Sequence, residues 1–417
     1  MNKFNTVRLP QLAWFGDTEL ELQFPKSWDV HVCYMQGYSA PALSEEQLRQ
    51  AFANPIGTPR IRDLAKGKNE VVILFDDTTR PTKVSQLVPY ILQELEEAGI
   101  PDDNIRFIPT LGNHAVMKRP DLVKKLGEKV LDRFAVYNHN CYENCTYLGK
   151  TSRGTPVEVN SEVMSCDLKI AIGGIIPHSG AGFGGGAKAI LPGVSSKETT
   201  WVNHRVVGRT PDGQKHHSSD KGKVDENVLR LDMEEAARMA GLDIIVNVVI
   251  NGKRDPVGLF VGDLVAAHRE GVKLGREIYA AKPVKDVDIV ISNNYSCAAS
   301  AALVDFPGSG WYKKGEGSLV HIANTPEGQI IHYVSSSFGK NIGGRGWKKP
   351  TSLPRNVNKL IVFAPYPDRS LTGRIAPPES FTWAKTWLEV LEELRAYHQG
   401  EVKVAVIPDV KLQYFPE

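Results

Sequence analysis

Three short segments of the chain place acids, histidines and glycines directly after predicted strands. They are DDTTR at residues 76–80, GNH at 112–114, and the glycine-rich run at 173–193. Ligands of open α/β sheets bind beyond the carboxyl ends of the strands. Acids and histidines there can transfer protons, because histidine titrates near neutral pH. A single histidine such as His114 is more often structural than catalytic, so its assignment depends on the other two segments.

The glycine-rich run carries the strongest signal. Eight of its 21 residues are glycine, it contains His178 and Lys188, and His204 follows in WVNHRVV. Glycine allows the backbone to approach a ligand closely. Residues 180–185 fit the dinucleotide pattern G-x-G-x-x-G, but the acid expected about 20 residues later is missing. A Walker A loop is excluded because no serine or threonine follows Lys188. Tight packing alone does not require two histidines and a lysine, so we predict a ligand-binding loop.

The DDTTR segment predicts an anion site. Thr79 followed by a proline is typical of a helix start, and the free amides of a first helical turn, together with Arg80, bind anions. The alternative is a plain helix cap with a solvated arginine. Two adjacent acids, Asp76 and Asp77, exceed what capping requires and favour a functional site.

Alternating apolar runs and amphipathic stretches predict an α/β fold with largely parallel sheets. Predicted strands are 70–75, 105–109, 168–176, 243–250, 287–292, 319–323, 359–364 and 402–407, and predicted helices are 83–98, 119–133, 226–240, 265–281 and 382–396. A helix end followed by a proline at 282–285 marks a domain boundary. We expect two α/β domains, 1–281 for cofactor and catalysis and 284–417 on the substrate side. The active site is expected in the cleft between them, and the last residues can pack back on the first domain.

Composition excludes several classes of protein. The 417 residues carry a net charge of +2 with basic and acidic residues intermixed, which argues against a nucleic-acid partner. No apolar run reaches the roughly 18–20 residues that span a bilayer, and the N-terminus lacks the apolar core of a signal peptide. We expect a soluble, cytoplasmic protein that has no membrane partner.

The cysteines do not predict disulfides. There are five, an odd number without regular spacing. Cys141 and Cys145 form a possible metal clip with His139. No second pair of ligands exists, so ordinary free thiols are the favoured interpretation.

Taken in order, DDTTRPT, LGNH, GGIIPHSGAGFGGGAKAILPG and the NH of WVNHRVV resemble the nickel-dependent lactate racemase family and its 2-hydroxy acid racemase homologues. The resemblance is dense over residues 70–210. It implies a nickel pincer nucleotide, a pyridinium mononucleotide whose two thio-substituted arms bind nickel. It also implies that separate biosynthetic enzymes supply this cofactor.

The resemblance implies a role for each matching residue. Lys188 matches the lysine that is covalently attached to the cofactor, and His204 matches the histidine that completes the nickel site. His114 and His178 match the two catalytic bases. The cofactor-binding segment matches Asp77, Thr78, Thr79 and Arg80.

The implied chemistry explains these residue types. Proton abstraction beside a carboxylate is very unfavourable, whereas removal of hydride from a 2-hydroxy acid gives a planar keto acid that takes hydride back on either face. The two enantiomers present their hydroxyl groups on opposite sides, so two general bases are expected. Imidazole nitrogen suits nickel(II) as a ligand.

One departure from the family pattern concerns the substrate. In the lactate enzyme a glutamine and a lysine that follow a tyrosine hold the substrate carboxylate, but here the stretch reads SNNYSCAASAALVDF. Tyr295 matches the tyrosine, and small residues stand where those two are expected. We therefore expect a larger or differently anchored acid than lactate, bound by Arg80 or by Lys340, Arg345 and Trp347. A solvated basic loop is the alternative for the last three.

Two other functions remain open. An NAD-dependent 2-hydroxy acid dehydrogenase would use the weak G-x-G-x-x-G match. A non-catalytic carrier of nickel or nucleotide would need Lys188 and His204 but not His114 and His178.

Overall fold

The computed structural model describes residues 4–300, 306–308, 310–333, 353–368 and 376–416. Within these ranges the strands are β1 Phe4–Gln11, β2 Thr18–Pro25, β3 Trp28–Val32, β4 Val71–Phe75, β5 Ile105–Pro109, β6 Ala135–Val136, β7 Cys145–Lys150, β8 Pro156–Asn160, β9 Leu168–Gly174, β10 Pro177–His178, β11 Gly182–Phe183, β12 Ile244–Ile250, β13 Pro256–Gly262, β14 Ile289–Asn293, β15 Gly317–Ile322, β16 Val357–Phe363, β17 Phe381–Ala384 and β18 Val402–Ile407. The helices are α1 Glu45–Ala53, α2 Ile61–Leu64, α3 Val88–Glu97, α4 Arg119–Leu126, α5 Glu128–Arg133, α6 Ser161–Ser165, α7 Lys197–Val202, α8 Val228–Met239, α9 Ala266–Ile278 and α10 Trp387–Tyr397. None of these helices is long and apolar enough to cross a membrane.

The chain forms two compact units, of which one comprises residues 37–279. Its six-stranded sheet has the order β13-β12-β9-β4-β5-β6, and every pair is parallel except the antiparallel pair β12–β13. All residues of β4, β9 and β12 are buried, as expected for central strands of a sheet with both faces covered. The loops that carry the candidate residues follow β4, β5 and β9.

The second unit comprises residues 1–36 and 280–417. Its six strands are parallel throughout, in the order β17-β16-β15-β14-β18-β3. The predicted α/β class with largely parallel sheets is thus confirmed. The predicted range 1–281 for the first domain differs from the structure, because β3 pairs with β18 and the β1–β2 hairpin shares an apolar cluster with β14.

Two predicted helices differ from the observed elements. The helix predicted at 119–133 is divided into α4 and α5 at Gly127, whose φ of +82° is outside the helical range. The segment predicted as helix from residue 382 begins instead as β17, which pairs with β16. Helix α10 starts after Thr386, whose side chain accepts a hydrogen bond from the Glu389 amide.

Candidate active site

The loop after β4 holds a buried acid that is paired with a histidine. Asp77 is 3% exposed, and its Oδ2 lies 2.6 Å from Nδ1 of His114, which comes from the loop after β5. The other carboxylate oxygen accepts the Thr79 amide at 2.9 Å. Burial alone would raise the pKa of Asp77, but the charge and hydrogen bond of His114 and the charge of Arg80 hold it well below its usual range. Asp77 is therefore an anion that orients the His114 ring.

The helix start predicted at Thr79 is wrong. Only a short 3-10 turn at Val84–Gln86 precedes α3, and the Thr79 hydroxyl donates to Asp77 Oδ1 instead of accepting an amide of a first helical turn. Arg80 is half-buried and donates only to the carbonyl and hydroxyl oxygens of Thr79, at 3.2 and 2.9 Å. In the part of the chain that the structure describes, Arg80 has no carboxylate partner, so its charge is available to an anion.

Lys125 fixes the same loop from inside, and sequence reasoning did not identify it. Its side chain is 0% exposed, and Nζ lies 2.6 Å from Asp76 Oδ1 and 2.8 Å from the Thr82 carbonyl oxygen. Asp76 Oδ2 accepts from the Thr82 hydroxyl at 2.7 Å and from the Gly174 amide at 3.2 Å. Asp76 thus ties the loop to the end of β9.

Three side chains from other elements hold the glycine-rich loop, namely Arg230 of α8, Asn247 of β12 and His268 of α9. Arg230 is fully buried and donates to three loop carbonyls, those of Ala181, Phe183 and Gly185. Asn247 accepts a loop amide at 2.7 Å, and His268 Nε2 lies 2.8 Å from a loop carbonyl. The spacing of these residues gave no signal in the sequence, because their partners are backbone atoms far away along the chain.

Packing explains two of the loop glycines. Gly182 has φ +76°, and a Cβ atom there would lie 1.8 Å from the Lys223 carbonyl oxygen. Gly185 has φ +69°, and its Cβ would lie 2.6 Å from Asn247 Oδ1. The loop leads into a four-residue 3-10 helix, Gly186–Ala189. The dinucleotide pattern requires an α-helix whose N-terminus binds the pyrophosphate, and this short turn does not supply one.

Lys188 lies in that 3-10 turn, and no acidic side chain in the described part of the chain pairs with its amine. It is half-buried, and its Nζ has no hydrogen-bond or carboxylate partner among the residues that the structure describes. Burial, followed by the charges of Arg230 and Arg80, lowers the pKa of Lys188 well below its usual value. A neutral amine is nucleophilic and can form an amide or thioamide bond.

His178 lies on β10 with one ring nitrogen occupied. Its Nδ1 accepts hydrogen bonds from the Gly180 and Ala181 amides at 3.0 and 3.1 Å. Burial and the charges of Lys188 and Arg80 lower its pKa well below the usual value. This histidine is neutral at pH 7.

His204 lies on a π-helical turn, Asn203–Val207, that continues α7. Such turns are frequent at functional sites. The buried Asn203 side chain anchors the turn by donating to Asp232 Oδ2 at 2.7 Å. His204 Nδ1 is buried and lacks a partner at hydrogen-bonding geometry within the described residues. Burial and the charge of Lys188 lower the pKa of His204 to about 3, so the ring keeps the lone pair that a metal requires.

Shared electrostatic interactions show that the predicted residues form one cluster. Arg80 acts on Asp77, His178 and Lys188, and Lys188 acts on His178 and His204. His114 joins the cluster through Asp77, and Thr78 lies in the same loop. The unit formed by residues 37–279 therefore brings together every residue that the sequence predicted for cofactor and catalysis.

The predicted substrate residues lie elsewhere. Tyr295 belongs to the other unit, is 4% exposed, and donates its hydroxyl to Asp17 at 2.8 Å. Lys340, Arg345 and Trp347 lie outside the described residues.

The metal clip considered for Cys141 and Cys145 has no support in the structure. His139, its third member, has Nε2 at 2.9 Å from the Ser195 carbonyl oxygen and Nδ1 at 3.2 Å from Asn160. Across the described ranges no group of three metal-binding side chains occurs, and all five cysteines are free.

The chain is similar in sequence to known lactate racemases. The model of the lactate racemase N-terminal domain matches residues 15–215, a range that includes all residues of the cluster from Asp77 to His204. The lactate racemase of Thermoanaerobacterium thermosaccharolyticum is 30% identical over 330 residues, which is 78% of this chain and 74% of that protein. The lactate racemase of Lactiplantibacillus plantarum is 33% identical over 259 residues, 62% of this chain and 59% of that protein.

Solved structures show the same fold. The lactate racemase apoprotein from T. thermosaccharolyticum has a TM-score of 0.73 at 24% identity, covering 99% of this chain and 100% of that chain. A crystal structure of a Thermotoga maritima protein has a TM-score of 0.62 at 15% identity, covering 90% of this chain and 99% of that one. Because the sequence match with the T. thermosaccharolyticum lactate racemase covers most of both chains, the protein belongs to the lactate racemase family and is an enzyme of the racemase class.

Proposed function

We propose that this enzyme racemises or epimerises a 2-hydroxy acid by reversible hydride transfer, with His114 and His178 as its catalytic histidines. One observation carries the proposal: a lysine amine with a strongly lowered pKa, a buried neutral histidine that can bind a metal, and an Asp–His pair interact electrostatically through Arg80 and Lys188 within one unit. A carrier of nickel or nucleotide would have no use for the Asp77–His114 pair. A dehydrogenase would need the dinucleotide turn that the glycine-rich loop does not form.

The cluster fits the nickel pincer nucleotide of the family. Lys188 supports covalent attachment, because its amine has no carboxylate partner among the described residues and its pKa is lowered well below the usual value. His204 supports metal ligation, because its buried ring is neutral and keeps the lone pair that a metal requires. Arg80 supplies a positive charge for an anionic group, either the nucleotide phosphate or the substrate carboxylate. When bound, the cofactor supplies an acceptor for hydride.

The protein's own residues accept and return the proton of the substrate hydroxyl. The substrate hydroxyl must lose its proton as hydride leaves the adjacent carbon, and His114 is poised to accept it. Asp77 holds Nδ1–H of that ring, which directs the lone pair of Nε2 outward, and stabilises the imidazolium that forms.

We propose that the substrate is larger than lactate or anchored differently, such as an aryl or sugar acid. The stretch SNNYSCAASAALVDF has neither the glutamine nor the lysine that the family's lactate enzyme uses for the carboxylate. Arg80, which has no carboxylate partner in the described part of the chain, is the proposed anchor in the unit that holds the cluster. Lactate as the best substrate in a panel of 2-hydroxy acids would contradict this proposal.

The test of the function begins with protein made in a host that has the cofactor biosynthesis enzymes. We expect a nucleotide adduct in the intact mass, mapped to Lys188, together with stoichiometric nickel and inversion of a 2-hydroxy acid without added NAD. Protein from a host without those enzymes is the control, and we expect it to be folded and inactive. Net keto acid formation that depends on NAD would identify a dehydrogenase. An adduct without any inversion across the panel would identify a carrier.

A further inference from the structure

Helix α8 contacts both segments that carry the proposed cofactor residues. At its N-terminus, Asn227 donates from Nδ2 to the Gly180 carbonyl oxygen at 2.8 Å, while its Oδ1 caps the helix. Arg230, in the first turn of α8, donates to three further carbonyls of the same glycine-rich loop. Helix α8 therefore fixes the backbone of the loop that leads to Lys188.

Asp232, two residues further along the helix, contacts the turn of His204 instead. It is 0% exposed, and its Oδ2 accepts a hydrogen bond from Asn203 Nδ2 at 2.7 Å. Asn203 comes directly before His204 and begins its π-helical turn. The residue after the turn packs on the same helix, where a Cβ atom at Gly208 would lie 2.5 Å from a leucine side chain of α8. Both ends of the turn thus contact α8.

Two threonines fix the Asp232 carboxylate. Its Oδ1 accepts from the Thr151 hydroxyl at 2.6 Å, and its Oδ2 accepts from the Thr155 hydroxyl at 2.7 Å in addition to Asn203. Both threonines belong to the connection between β7 and β8, and both are buried. Asp232 therefore holds Asn203 from a fixed position inside the unit.

We propose that Asp232, acting through Asn203, is a positioning residue that sets where His204 lies relative to Lys188. This inference rests on the proposed function, in which both residues hold one rigid cofactor. Because separate side chains of α8 hold the two segments, loss of the Asn203 contact displaces His204 and leaves the segment of Lys188 in place. Outer partners that orient a metal ligand contribute about 10- to 100-fold to metal affinity.

The first test uses cofactor-free protein and measures hydrogen exchange in the turn of His204. The Gly208 amide reports on the turn, because it donates to the Asn203 carbonyl oxygen at 2.9 Å. Asn203→Ala removes the side-chain contact with α8, so we expect this amide to exchange about tenfold faster, the effect of one lost hydrogen bond. Thr151→Val is the matched control, because it removes another hydrogen bond to the same carboxylate, and the Gly208 amide should exchange at the native rate. Native exchange in Asn203→Ala would overturn the inference.

The second test uses protein from a host that supplies the cofactor and measures the release of nickel to a chelator. We expect Asn203→Ala to release nickel about 10- to 100-fold faster than native protein. It should keep the covalent adduct at Lys188, because other residues of α8 hold that segment. Thr151→Val should release nickel at the native rate although its thermal melt also falls. Equal release rates in the two variants would contradict the positioning role.

Asp232→Ala tests the acid itself. It removes the acceptor of Asn203, so the double variant with Asn203→Ala should release nickel no faster than the faster single variant. Additive effects would show that the two residues act separately and would rule the inference out. If Asp232→Ala does not fold, the comparison of Asn203→Ala with Thr151→Val decides the outcome. Native protein that exchanges as expected but holds no nickel would instead count against the proposed function.

Discussion

The two units have closely similar sheets but different chemistry at the carboxyl ends of their strands. In the unit of residues 37–279, the loops after β4, β5 and β9 carry Asp77, His114 and Lys188. In the other unit, the segments after β14 and β18 carry buried neutral or weakly acidic groups, including Asn294 and Asp409. The comparison shows that a six-stranded parallel sheet provides a platform, and that the residues on its loops decide whether it performs chemistry.

The largest effect is expected from Lys188→Met in the catalytic cluster. Without the amine no covalent adduct can form, so we expect the intact mass to equal that of the bare chain. Racemisation should fall to background, a loss of at least about 10⁶-fold, the low end of enzymatic rate enhancements. The thermal melt should not fall, because the amine has no partner to lose among the described residues. Lys197→Met is the matched control and should retain the adduct, whereas an adduct in Lys188→Met would contradict the proposed attachment.

A smaller effect is expected from Asp77→Asn, which acts through His114. The new amide N–H faces Nδ1, so the His114 ring should switch to the tautomer with Nε2–H and lose its basic lone pair. We expect kcat to fall about 10²- to 10⁴-fold, the contribution of a general base, with KM changed much less. Thr79→Val removes one donor to Asp77 and one acceptor of Arg80, keeps the Asp77–His114 pair, and should cost about tenfold. An unchanged His114 tautomer in Asp77→Asn would contradict the positioning role of Asp77.

The smallest effect on activity is expected from Asp409→Asn in the other unit. This substitution should instead change how the free energy of unfolding depends on pH. Burial raises the pKa of Asp409 to about 6 from its ordinary 3.8. The folded protein therefore holds this proton more tightly than the unfolded chain, and its stability should fall as the pH rises from about 4 to about 6. The stability lost is about 3 kcal/mol at pH 7. The amide variant should lack this dependence in urea unfolding at several pH values, and an unchanged slope would contradict the assignment.

The sequence predicts local features of this protein well. Strands β5 and β18 lie where their apolar runs predict them, and the glycine-rich loop follows its buried strand. The types of His178, Lys188 and His204 were sufficient to predict a ligand-binding loop, because tight packing alone does not require them in and after one glycine-rich segment.

Long-range contacts were not predictable from the sequence. Lys125 and Asp76 are 49 residues apart, and their ion pair exists only because α4 packs beside the loop after β4. The assignment of residues 1–36 depends on β3 pairing with a strand near the other end of the chain. The partners of His114 and His178 also could not be predicted, because only the folded chain brings Asp77 within hydrogen-bonding distance of His114.

Racemisation in heavy water tests the central claim most directly. If hydrogen leaves the substrate carbon with its electron pair, it is not exchanged with solvent protons during turnover. We therefore predict that a fully racemised 2-hydroxy acid, recovered from heavy water and analysed by mass spectrometry, carries no deuterium at its second carbon. Incorporation of one deuterium atom per inversion would contradict the account, because it would show that the hydrogen leaves as a proton.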